Sequence, residues 1–323
     1  MKCNMGETRR AFLASLNALP MSLLSVRIEA QPRQLVLSSY YLHSEGVQLF
    51  VDKATESSGG TIQVLLERLI IHTRPLQMMS NASALAHYYA AGVSNVEPIL
   101  GLSTLPMLAG TFDEAETLLR IARPYYTSTL ARHGQILLAT EPWRPAALWS
   151  SFPIQSVSDL RGIRFAPLNY VAERAGWMRT FKRLGVRSTS LSDAELMLSS
   201  GESGHMKFTQ EFGCFMELFF AAQLNFLTAS QKVFDTLTEA QRHVLVAAGR
   251  DTEFAQWKFA RDLLRREHQG MAARGVSVVT QPPADVLAAF RTAAEPDIQS
   301  WAHSAGADGT AILADYRRAI GRE

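Results

Sequence analysis

The chain has 323 residues, 47% hydrophobic and 19% charged, which is enough apolar material for one large or two medium cores and excludes a low-complexity chain. Its 32 Lys and Arg stand against 30 Asp and Glu, and no basic run alternates with aromatics, so the charge pattern gives no footprint for nucleic acid. Of the two cysteines, Cys3 lies in a segment read below as removable, and Cys214 sits among Phe212, Phe215 and Met216 without a nearby His or Asn, as a small buried hydrophobe would.

Residues 8–14 read Thr-Arg-Arg-Ala-Phe-Leu-Ala and lead into a modest apolar stretch from Leu13 to Val26. Twin arginine, aromatic and apolar run in that order resemble a twin-arginine export signal over 1–30, with Ala30 before the cleavage point. The other reading is an amphipathic first helix with two solvated arginines. Ser15, Asn17 and Pro20 make the run too polar to span a bilayer, and Cys3 precedes it, so it is not a lipoprotein anchor. Without residues 1–30 the charges balance at 28 against 28. The expectation is a soluble mature chain in the periplasm.

Downstream, strand-like and helix-like stretches alternate. A strand is expected over 34–40, then a helix over 43–58 carrying Val47, Phe50, Val51 and Ala54 on one face and stopped by Gly59-Gly60. A strand over 61–66 follows, then a helix over 77–91, an extended stretch over 93–99, a helix opened by the capping box Thr111-Phe-Asp-Glu114, and a strand over 136–140. This alternation defines an α/β domain with a largely parallel sheet. The second half repeats it with a strand over 163–166, a helix over 171–184, and a short helix from Ser192-Asp-Ala-Glu195 to Gly201.

The most informative stretch is 238–273. Thr238-Glu-Ala-Gln241 has capping-box spacing, no proline follows before Gly275, and Val244, Leu245, Ala248, Phe254, Trp257, Leu263 and Leu264 recur at helical spacing. A helix of that length runs roughly 50 Å, long enough to brace two domains; a kink at Gly249 is the competing reading. A strand over 276–281 and a helix opened by Pro282-Pro283 complete the chain.

Four stretches then resemble the dicarboxylate-receptor type of solute-binding protein from tripartite ATP-independent periplasmic (TRAP) transporters. They are Glu56-Ser-Ser-Gly-Gly-Thr-Ile-Gln-Val64; Leu105-Pro-Met-Leu108 with Thr111-Phe-Asp-Glu-Ala115; Pro153-Ile-Gln-Ser-Val-Ser-Asp-Leu-Arg-Gly162; and the tail with Gly275-Val-Ser-Val-Val279, Pro282, Trp301 and Ala305-Gly306. The resemblance implies a periplasmic-binding-protein-like α/β fold of two lobes with a hinge and one long helix spanning both. Lobe I takes 31–150 and part of 225–323; the core of lobe II is 151–224; the bridging helix is 238–273, and 274–323 supplies the last strand and helices. It also implies a small organic solute, a carboxylate or an aromatic acid, held between the lobes, TRAP permease membrane subunits as partners, and no cofactor. A degenerate receptor with a sensory or structural role is the alternative.

The resemblance places a carboxylate-binding arginine two residues beyond Arg164, where this chain has Ala166; Arg164 shares that strand face. A second polar anchor is expected near Phe208, with Thr209 or Gln210 as substitutes, and the segment 208–234 is shorter than in the family. By position after strands, Tyr40, Tyr41, His43, Asn169, Tyr170 and Glu173 are further candidates, as is Trp149 before the Pro153 turn. The expected ligand-binding set is therefore Tyr41, Trp149, Arg164, Asn169, Phe208 and Gln210. Enzyme signatures are missing: the eight histidines are dispersed without an HExxH pair or zinc spacing, no glycine-rich phosphate loop follows a strand, and Ser203 in Gly201-Glu-Ser-Gly204 lacks the nucleophile-elbow frame.

Overall fold

The structure is a computed structural model that describes residues 31–41, 44–68, 84–166, 174–200 and 212–322. Strands β1 (Arg33–Ser39), β2 (Ile62–Arg68), β3 (Leu85–Tyr89), β4 (Gln135–Pro142) and β10 (Leu224–Ser230) make one sheet in the order β2-β1-β3-β10-β4. Strands β5 (Ala147–Ser150), β6 (Arg164–Ala166), β7 (Arg187–Ser188), β8 (Leu196–Ser199), β9 (Cys214–Met216) and β11 (Ser277–Val279) make a second, ordered β11-β9-β5-β8-β6-β7. The helices are α1 (Glu45–Ser57), α2 (Phe112–Arg132), α3 (Arg174–Arg183), α4 (Glu239–Ala273) and α5 (Ala284–Ala319), with short 3₁₀ turns and one turn of helix at Gln231–Phe234.

Each sheet runs parallel apart from one strand, and that strand is the one delivered by the other sheet. β5 arrives from β4 and lies antiparallel to β8 and β9; β10 arrives from β9 and lies antiparallel to β3 and β4. Leu224, at the start of β10, pairs with Pro142 at the end of β4, and Ala147, at the start of β5, pairs with Ser199 at the end of β8. Both sheets thus point the C-terminal ends of their parallel strands at the crossings, the place where α/β sheets bind ligands. The chain crosses after Pro142, so β5 belongs to the second sheet and not to the first segment ending at 150.

The two crossing segments are bonded to each other: the Trp143 amide donates to the Gln223 carbonyl and the Phe220 amide to Ala146, each at 2.8 Å. Met107 (φ 57°) and Phe219 (φ 49°) adopt left-handed backbone here, at a cost of about 1–2 kcal/mol each. Burial of both side chains and the edge-on contact of Phe219 with Phe112 at 5.1 Å offset it.

Helix α4 runs unbroken for 35 residues, opened by the Thr238–Gln241 capping box. Leu245 and Ala248 join the core of the first sheet with Val47, Phe50 and Leu138; Met271 joins the core of the second with Trp149 and Phe215. It does not kink at Gly249, because the missing side chain lets it lie on β4: a Cβ there would stand 2.5 Å from the Leu138 carbonyl oxygen. Phe254, assigned to the apolar face from the sequence, points outward at 77% exposure. Helix α5 is a second connection that periodicity did not show: Val286, Phe290 and Ala294 pack under the second sheet, and Ile298, Trp301 and Tyr316 under the first. Its helical path is interrupted at Gly306 (φ 69°, ψ −147°).

Three expected elements differ. Residues 85–89 form strand β3 and not the end of a helix; between β1 and β10 it is covered on both faces, so no period of two is visible. The stretch expected to be extended over 93–99 is instead a turn between 3₁₀ turns at Ala90–Val93 and Pro98–Thr104. Ser192–Glu195 opens no helix: Leu191–Asp193 is one 3₁₀ turn, and Leu196–Ser199 is a fully buried interior strand. The N-terminal segment 1–30 and residues 77–83 of the expected 77–91 helix lie outside the described residues.

Candidate functional site

A pocket lies beside the crossings at the ends of β1, β4 and β10. Tyr41, Ser44, Glu45, Glu141, Pro142, Trp143, Arg144 and Asn225 line it, and Gln256, Phe259, Ala260 and Leu263 of α4 close one side. Ser44 is the N-cap of α1, accepting from the Val47 amide at 3.4 Å while donating to Glu141 Oε2 at 3.2 Å. The Glu141 carboxylate therefore sits at the N-terminus of a helix, where a negative charge is favoured. Gly46 makes room for it: a Cβ at Gly46 would stand 2.5 Å from the carboxylate.

Behind this carboxylate is a buried polar chain. His87 of β3 is fully buried, with Nε2 3.4 Å from Glu141 Oε2, an ion-pair distance without hydrogen-bond geometry. Its Nδ1 lies 2.9 Å from Ser39 Oγ. The Ser39 hydroxyl also reaches the Tyr41 carbonyl at 3.0 Å. Ser39, His87 and Glu141 have the order of a hydrolytic triad, with the serine fully buried and out of reach of a substrate. Tyr40 stacks on His87 at 5.5 Å and donates to Asn225 Oδ1 at 3.0 Å. Burial, then the nearby Glu141 charge, raises the Tyr40 hydroxyl above the usual tyrosine range, so it stays a neutral donor. Tyr41 and Trp143 meet edge to face at 5.9 Å.

Both crossings meet consecutive residues of α4. Arg144 Nε is 3.0 Å from Glu267 Oε1, and Glu217 Oε2 is 3.3 Å from His268 Nε2. Burial pushes the Glu217 carboxyl up to about 6 and pushes His268 down, so each prefers its neutral form. Between about 4.5 and about 6 the folded chain keeps a proton on Glu217 that the unfolded chain has lost, so stability falls as pH rises through that window. Glu217→Gln is expected to remove this fall and to stabilise the protein above pH 6 by about 1–2 kcal/mol, leaving only the opposite slope of His268, which appears as pH drops below its ordinary range. Urea melts across the window check it; an unchanged slope counts against the burial argument.

The expected site residues separate. Tyr41 lines the pocket. Trp149 does not: it is fully buried, packed edge to face on Phe215 at 5.0 Å, and its indole N–H donates to the Ser200 carbonyl at 3.2 Å. Arg164 is engaged on the surface by the Glu195 carboxylate at 3.2 Å and the Asp193 carbonyl at 2.7 Å, and Ala166 is buried. His43, Asn169, Tyr170, Glu173, Phe208, Thr209 and Gln210 lie outside the described residues. Sequence reasoning missed Glu141, Trp143 and Asn225. The signal for Glu141 was present: an acid directly after the expected strand 136–140, at the strand end where ligands are sought.

Among the described residues, two sheets with facing C-terminal edges, two bonded crossings and two connecting helices make a fold similar to that of two-lobed solute-binding proteins. The particular fold is that of the TRAP solute receptors. DctP6 of Bordetella pertussis, an extracytoplasmic solute receptor binding pyroglutamic acid, is similar with a TM-score of 0.77 and 22% identity over 88% of this chain and 100% of that one. A TRAP periplasmic solute-binding protein from Ochrobactrum anthropi is similar at 0.78 and 16%, over 91% of this chain and 97% of that one. One from Roseobacter denitrificans, with bound β-D-glucuronate, is similar at 0.71 and 13%, over 88% and 99%. No family model and no curated protein matches the chain.

Proposed function

We propose that the protein is an exported receptor that captures a small organic solute between two lobes and delivers it to a TRAP-type permease. One observation carries this reading: both sheets turn their strand ends toward the same pair of crossings, beside which the pocket opens. Receptors of similar fold hold pyroglutamate and glucuronate. The twin-arginine segment at 8–14 fits export to the periplasm. On this reading Tyr41, Trp143, Glu141 and Asn225 contribute from the first lobe, and Asn169, Phe208 and Gln210, in the segments after β6 and β8, from the second. A ligand touching both lobes stabilises the closed arrangement and the crossings act as the hinge.

A thermal-shift screen of organic acids, sugars, amino acids and amines tests this directly. A ligand at 100 times its Kd adds about 2.7 kcal/mol, a rise of roughly 5 °C or more for a protein of this size. The same ligand is expected to reduce the radius of gyration in solution scattering. An unchanged radius at saturation removes the hinge, and a screen without a binder removes the receptor.

A further inference from the structure

Helix α4 packs one side on the cores and leaves another to solvent. Along the solvent side Arg242, Val246, Arg250, Phe254 and Lys258 follow at four-residue spacing, so cation and apolar group alternate on one ridge. Val246 is 49% exposed, and Phe254, at 77%, is the most exposed large apolar side chain among the described residues. A lone exposed apolar residue is ordinary. Here Val246 also lines a groove of about 510 Å³, walled by Phe234, Glu239, Arg242, His243, Ala247 and Arg250, and Phe254 stands one turn beyond Arg250. This groove shares no residue with the solute pocket, and Arg250 lies roughly 25 Å along the helix from Glu267 at the crossing.

The groove carries unspent positive charge. The Arg242 side chain makes no hydrogen bond or ion pair among the described residues, and Arg250 meets its neighbour Asp251 at 3.5 Å. Glu239 is the acid of the wall, and it lies in the first turn of α4, where the helix N-terminus already favours its charge. Lys258 is shared with Asp262 at 3.0 Å. A second copy of the chain suits this face poorly, because a ridge packed on itself sets Arg242, Arg250 and Lys258 against like charges. A flat anionic surface does not reach into a groove. We propose that this face of α4 is a docking surface for an acidic amphipathic helix of another protein. Its carboxylates lie on Arg242 and Arg250, one of its apolar side chains enters the groove, and a second covers Phe254.

The test uses the full chain and labelled helical peptides in which Glu alternates with Leu or Phe along one i, i+4 row. Fluorescence anisotropy is expected to show binding that weakens as salt rises, with a peptide carrying Lys in place of Glu at least about tenfold weaker. Arg250→Glu and Phe254→Asp are each expected to weaken the acidic peptides at least about tenfold, whereas Val96→Asp, at a separate exposed apolar position, leaves them unchanged. All three positions are exposed, so thermal melts are expected to stay close to that of the unaltered chain. No binding by the acidic peptides, equal binding of the Lys peptide, or affinity indifferent to Arg250→Glu and Phe254→Asp overturns the proposal. A dimer in sedimentation that Phe254→Asp dissolves overturns it in favour of a second copy. Flotation with phosphatidylglycerol vesicles that Arg250→Glu abolishes overturns it in favour of a lipid surface. If Phe254→Asp does not fold, Arg250→Glu, the salt series and the Lys peptide decide the matter.

Discussion

Gly249→Ala is expected to destabilise the protein by about 1–3 kcal/mol, although the same exchange inside a helix ordinarily stabilises. The reason is local. In α4 the glycine Cα rests on β4, and an added Cβ meets the Leu138 carbonyl oxygen at 2.5 Å and its carbon at 2.9 Å. Backbone atoms on a strand paired with β10 do not yield as a side-chain tip does, so the helix must lift. Lifting it opens the interface of Leu245 and Ala248 with Phe50 and Leu138. Gly270 provides the control within one helix. There the nearest atom to a new Cβ is the mobile end of Arg274 at 3.4 Å, and Gly270→Ala is expected to stabilise by about 0.5–1 kcal/mol. Chemical melts of both variants measure the pair. Two exchanges of the same sign would show that α4 does not bear on β4 as closely as described.

Trp149→Ala is expected to cost about 3–5 kcal/mol, the range for truncating a buried aromatic. The side chain is fully buried among Met197, Phe212, Phe215 and Met271, and its loss also strands the Ser200 carbonyl that accepts the indole proton. The effect joins β5 to the last turns of α4, since Met271 is the α4 residue in that cluster. A tryptophan in a cleft wall behaves differently: its loss weakens ligand binding and leaves the unliganded melt nearly unchanged. A Trp149→Ala protein with native stability and lost binding would return the residue to the cleft. Trp149→Phe is expected to retain much of the stability, because it keeps most of the apolar volume.

How much of this was legible before the structure follows from the range over which each signal acts. The capping box at Thr238 and the proline-free run behind it are local signals, and they gave α4 its start and its 35-residue length. Thr111 marked the start of α2, where its side chain accepts from the Glu114 amide. Such signals depend on a side chain and a backbone amide three residues apart, so the chain carries them wherever it folds. The spacing at Ser192–Glu195 was the same and meant nothing, because the next four residues are taken up as an interior strand between β5 and β6. For β3 a core on each face of the sheet, with Ala86 and Tyr88 in one and Leu85 in the other, erases the alternation that marks a strand.

The site was less legible still. Position after a strand was enough for Tyr41, but the Glu141 carboxylate depends on Ser44 and Gly46 at the start of α1 and on His87 in β3, two parts of the chain distant from it. The amino-acid sequence by itself determined the α/β alternation and the long brace. Only the tertiary structure decided that two strands run against their sheets, that Trp149 is interior, and that a buried carboxylate meets a helix start. Helix caps and periodicity act over a few residues, whereas burial and charge pairing are set by neighbours brought together from distant positions, and those are known only once the chain has folded.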